Sequence, residues 1–140
     1  MYKSQIQILP ILQNNPKILN PKKNESYEKI YNIKDRSFRF AQRIIDICEK
    51  LPKQIHCEII AKQLLRAGTS IGANIEEADG TLTKKDFINK IVIARKEAKE
   101  TSYWLRLTAD KYFNEEVIAI DIQECRELIN ILSAIINKSR

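Results

Sequence analysis

A single histidine, His56, is all the chain contains, and that scarcity rules out any histidine-based metal cluster. His56 falls within a predicted helix, where a surface or boundary position is the simplest reading. Glycine is nearly as scarce: Gly68, Gly72 and Gly80 are the three, and their spacing fits no phosphate-cradling loop. Of four prolines, Pro10, Pro16 and Pro21 lie near the N-terminus, so the rest of the chain is almost free of helix breakers. The three cysteines, Cys48, Cys57 and Cys125, form no CxxC pair and sit at apolar helical positions, which points to buried, reduced thiols. Glu76, Glu77, Glu97 and Glu100 come nearest to a metal set. Di-metal bundles combine such carboxylates with Glu-x-x-His pairs, which are missing. No apolar run is long enough for a secretory leader or a membrane span. The expectation is a cytoplasmic protein that is not an enzyme, holds no metal or cofactor, and has no membrane contact.

What the chain does have is helix-forming sequence. Its 140 residues are 44% hydrophobic and 30% charged, enough for one domain with a tail. The net charge of +6 is unevenly spread. Residues 84–111 hold eight Lys/Arg against four Asp/Glu, whereas residues 37–83 hold six of each. A further excess lies in residues 1–36, and residues 112–140 are acidic on balance.

Residues 1–32, with prolines and asparagines breaking any period, read as an irregular arm. It carries one sticky cluster: Ile6, Ile8, Leu9, Ile11 and Leu12. Residues 33–140 read as an antiparallel four-helix bundle, all-α. The first helix is expected from Asp35, as N-cap, to Leu51, with Phe38, Ala41, Ile45 and Cys48 as its leading apolar stripe and Phe40, Ile44, Ile47 and Leu51 widening it. The second runs from Lys53 to Asp79, and Gly80 is expected to close it in a left-handed conformation. Thr83 then offers a hydroxyl N-cap, with Asp86 completing a variant capping box, for a third helix over Lys84 to Tyr112. So short a link between two long amphipathic helices implies an antiparallel hairpin. A fourth helix follows N-cap Asn114 to about Lys138. Its stripe Ile118, Ile122, Cys125, Ile129, Leu132 and Ile136 suffices for a bundle, so a second stripe, Leu128, Ile131 and Ile135, is assigned to a subunit contact. Trp104 joins it as a wedge between helices or subunits; with Tyr103 it has the alternative of stacking on a base.

Lys85, Lys96, Lys99 and Arg106 share one exposed strip of the third helix and are the candidate nucleic-acid contacts. A merely solvated basic face would look the same, so a protein-interaction module remains the alternative. A polar stripe, Arg66, Ser70, Asn74 and Glu77, runs along the second helix, with Glu97 and Glu100 facing it from the third.

The runs SIGANIEEADG, KDFINK and IARKEAKETSYWLRL, with DRSFRFAQRI and QLLRAGTS upstream, closely resemble the bacterial four-helix-bundle proteins encoded by 23S rRNA intervening sequences. That family resembles in turn the accessory variability determinant of diversity-generating retroelements. The resemblance implies a ring-shaped homo-oligomer, with five copies favoured, and a basic surface for RNA. In a retroelement cassette, it implies a reverse transcriptase as partner. It also marks the Arg, Asn and Glu of the polar stripe as signature residues, read here as a partly buried network that fixes helix register.

Overall fold

The computed structural model describes residues 21–140, with side chains from Asn32 onward except that of Glu115. Among them the chain forms four helices and no strand: α1 (Pro21–Lys50), α2 (Ile55–Asp79), α3 (Lys84–Tyr112) and α4 (Glu115–Ser139). Residues Ile33–Arg140 form one compact unit. The apolar cluster at residues 6–12 lies outside the described residues.

Contacts between the helices give the topology. Along the α1–α2 seam, Cys48 lies at Ala61, Ile44 at Gly68, Ser37 at Gly72 and Lys34 at Asp79, so one numbering falls as the other rises. Arg66 and Glu77 of α2 pair with Glu97 and Lys90 of α3. The Cys125 thiol of α4 donates to the Ala98 carbonyl of α3 at 3.2 Å. Arg36 and Arg43 of α1 pair with Glu124 and Asp121 of α4, which closes the circuit as an up-down-up-down bundle.

The core is aliphatic, with Phe40, Ile44, Leu64, Ile71, Ile91, Leu105, Leu128 and Leu132 among its fully buried side chains. Each such side chain contributes about 1.5–3 kcal/mol relative to exposure. Glycine has a definite role at Gly68, where an added Cβ would come within 2.9 Å of Ile44 Cγ1 and Cγ2. The α1–α2 approach is therefore closer than alanine would permit. Burial raises the Cys48 thiol to about 11 and the Cys125 thiol to about 12. No described helix is long and apolar enough to cross a membrane.

Boundaries of the hairpin match expectation. Thr83 Oγ1 accepts from Asp86 N at 3.1 Å and also donates to Asp86 Oδ2 at 2.6 Å, so the turn is capped from both sides. Gly80, in contrast, is not left-handed: its φ is −92°, and its N–H turns back to the Glu77 carbonyl. Asn114 occupies the N-cap position of α4 without a side-chain capping bond.

Four expectations about α1 and α4 need correction. The first helix starts at Pro21, so residues 21–32 are helical and not part of an irregular arm. A proline suits the first helical turn, where its missing N–H has no intrahelical partner in any case, and Lys and Glu after it are good helix formers. Asp35 consequently caps nothing; it pairs with Arg39 one turn on, at 3.2 Å. The core stripe of α1 is Ile33, Ser37, Phe40, Ile44 and Ile47, whereas Phe38 and Ile45 stay 38% and 43% exposed. Leu128 is buried within its own chain and cannot reach a neighbouring subunit. A bundle helix faces two neighbours, so its buried arc is broad enough to take both apolar stripes. On α4, Leu128 and Cys125 are buried, and Ile122, Ile129, Ile131 and Ile135 pack half-buried beside them.

Candidate nucleic-acid interface

The outer face of α3 follows from helical phase. Ile91, Ala94, Ala98, Thr101, Leu105 and Thr108 turn inward, and Glu97 and Glu100 turn toward α2. That leaves Lys85, Lys96, Lys99 and Arg106 on one outward sector, all exposed. Tyr103, 51% exposed, stands in the same sector. None of these four cations forms an ion pair with a described carboxylate; Arg106 donates only to the Ser102 carbonyl, at 3.3 Å. Two carboxylates of α3, Glu97 and Glu100, are engaged by another helix, while Asp110 lies exposed one turn after Arg106. Arg66 holds Glu97 at 3.2 Å and also bonds Glu100, which keeps the Glu100 carboxyl below its usual range. Trp104 Nε1 donates to Glu100 Oε1 at 3.2 Å and adds to that depression.

The cations of α1 between Ile33 and Ile44 are arranged differently. Lys34 lies 2.8 Å from Asp79 and 3.3 Å from Glu76. Arg36 grips Glu124 with two bonds of 2.9 and 2.7 Å and also touches Glu127. Arg39 meets Asp35, and Arg43 lies 2.6 Å from the buried Asp121. The Arg43–Asp121 contact is Coulombic, because its geometry lies off the hydrogen-bond axis. Hydrogen bonds to both acids leave the Arg36 guanidinium protonated at any working pH.

The polar stripe does not form one continuous network. Arg66, Glu97, Glu100 and Trp104 make one group, at the surface, with the Arg66 side chain 47% exposed. Ser70 and Asn74 bond along their own helix, to the Arg66 and Ser70 carbonyls. Glu77 pairs separately with Lys90. Partial burial as a unit is thus corrected to exposed pairs plus local bonds. Sequence reasoning could not separate these cases, because helical phase alone does not give the depth of a seam. Trp104 packs against the bundle's own core between α2 and α3.

His56 stacks on Tyr112, with ring centroids 6.0 Å apart. The four glutamates that come nearest to a metal set are taken by Lys34, Lys90 and Arg66. Among the described residues no group of His, Cys, Asp and Glu could hold a metal ion. A cleft of about 150 Å³ between α1 and α4, lined by Arg43, Ile47, Phe113, Val117 and Asp121, is below the roughly 300 Å³ at which small-molecule sites begin.

Fold and surface together define a four-helix-bundle protein with an exposed basic sector on α3. Residues 29–134 match the family model of the 23S rRNA-intervening sequence protein, and the chain belongs to that family. It is also similar to a protein of unknown function from the S23 ribosomal protein family of Bacteroides thetaiotaomicron, known from a crystal structure. The two are 41% identical over 78% of this chain and 98% of that one, with a TM-score of 0.72. No curated protein matches the chain.

Proposed function

We propose that the chain is a non-enzymatic, oligomeric scaffold that binds RNA through the outer face of α3. One observation carries the reading: Lys85, Lys96, Lys99 and Arg106 are exposed on one sector and form no ion pair with a described carboxylate, whereas the cations of α1 from Lys34 to Arg43 are all held by carboxylates. An unpaired cation gives up only its counterions on meeting a phosphate, while a paired one must first break its ion pair. Repetition of the face in each copy of a homo-oligomer, five by family resemblance, would add avidity without new contacts. Where the gene neighbours a reverse transcriptase, that enzyme is the protein partner to test, by co-purification.

Filter binding of RNA across a salt series tests the reading. Affinity should fall steeply with salt and vary little with sequence. Absence of binding at low salt would reject it. The second reading, a protein-interaction module of unknown partner, draws on a different observation. Phe38 and Ile45 stand two turns apart on one face of α1, and Leu65 of α2 is 38% exposed near the level of Ile45, fixed by the Ile44–Gly68 contact. Light scattering decides the oligomer: a monomer would remove the multivalent part of the proposal.

A further inference from the structure

The outer sector of α3 carries more than charge. Tyr103 sits among the cations, one turn after Lys99 and one turn before Arg106, with about 5–6 Å between Cβ atoms of such neighbours. Tyr103, 51% exposed, is an aromatic residue in the middle of this charged strip. Its position is also braced. The Trp104 ring meets Tyr103 edge-on, with centroids 5.0 Å apart and planes at 72°. Trp104 is held in turn by its bond to Glu100, and Glu100 by Arg66 of the neighbouring helix. A chain of contacts from α2 thus ends on the one aromatic ring of the basic face, with half of that ring open to solvent.

We infer that Tyr103 is a stacking platform for an unpaired base, so that this face takes single-stranded RNA in preference to duplex. The inference rests on the RNA-binding reading and narrows it. A strand's phosphates run past Lys96, Lys99 and Arg106 while one of its bases turns inward onto the phenol ring. Every base has a π-face, so stacking of this kind discriminates strandedness but not sequence. A duplex keeps its bases stacked internally and offers the ring nothing, leaving the cations alone to bind it. Trp104 and Glu100 act through Tyr103 as positioning residues.

The experiment compares oligouridylate with a fully paired RNA duplex of equal length, using the full-length chain at fixed low salt. The unmutated protein should prefer the single strand. Tyr103→Ala should weaken oligouridylate binding about tenfold, within the range of one lost base-stacking contact, and leave duplex affinity and the salt slope unchanged. Tyr103→Phe keeps the ring and should retain binding. A 5-iodouridine-substituted strand should photo-crosslink at Tyr103. Equal loss of single-strand and duplex affinity in Tyr103→Ala, or no loss in either, would overturn the platform while leaving the basic face intact. Failure of the unmutated chain to bind either RNA would instead remove the underlying reading, and this one with it. Tyr103 is half exposed, so its variants should keep the parent's helical circular dichroism, which separates a binding defect from a folding one.

Discussion

Lys34, Arg36, Arg39 and Arg43 on α1 and Lys85, Lys96, Lys99 and Arg106 on α3 are two sets of cations that differ in company, not in charge. Lys34, Arg36 and Arg43 of the first set tie α1 to α2 and α4, and Arg39 pairs within α1 with Asp35. The second forms no ion pair with a described acid: Glu97 and Glu100 of the same helix are held by Arg66, although Lys96 still acts on Glu100 through space and Asp110 lies one turn beyond Arg106. Local net charge in the sequence does not tell these cases apart. The side on which the acids fall does.

The largest expected effect would break the comparison if it failed. Replacing Lys85, Lys96, Lys99 and Arg106 by Glu should reduce RNA affinity by at least about 100-fold, since four counterion-releasing contacts become repulsive. The denaturant midpoint should barely move, because none of the four is tied to another element. The converse variants sharpen the contrast. Arg43→Ala strands the Asp121 carboxylate, which is 5% exposed, and should destabilise by about 2 kcal/mol; Arg36→Ala should act similarly. In both, RNA binding should stay within about twofold, as surface charges distant from the interface are screened. Chemical denaturation paired with filter binding reads both quantities.

Gly68→Ala probes the α1–α2 seam without touching charge. Its gain in helix propensity is about 1 kcal/mol, yet the clash with Ile44 should outweigh that and leave a net loss of about 1 kcal/mol in urea titration. Smallest of all should be Arg66→Ala, below about 1 kcal/mol, since the pair lies at the surface. The pair also gives a pH signature. The Glu100 carboxyl is depressed when folded, so its contribution is present above the ordinary glutamate range and fades as pH falls through the lower folded value. Arg66→Ala should therefore flatten the acid limb of the stability curve.

Much of the bundle was legible in the sequence. The Thr83–Asp86 cap and the apolar periods of α2 and α3 place the hairpin within two residues of its observed ends. Phase proved less legible than period. On α1 the leading stripe was only partly inward, since Phe38 and Ile45 face out while Cys48 packs on the core, and on α4 both stripes pack against the core although one was assigned to a subunit contact. Ser37 helped to hide the true stripe: its hydroxyl bonds to the Lys34 carbonyl, so a polar residue can lie fully buried against Gly72. The basic strip could be read from spacing, but its unpaired state could not, because that depends on Arg66 reaching across from another helix.

The buried thiols have a practical consequence. Cys125 bonds across α3–α4 and Cys48 bonds across α1–α2 to the Ala61 carbonyl, so each sulfur sits at a different joint of the bundle. The fully buried Cys125 cannot react with an alkylating reagent until its joint parts, whereas the half-buried Cys48 needs a smaller opening, and both thiols are held well above their free range. With Cys57, which is also buried, replaced, the rate at which each is modified in the native protein is a clock for the opening of its own joint. Two such clocks in one chain would show which half of the bundle comes apart first.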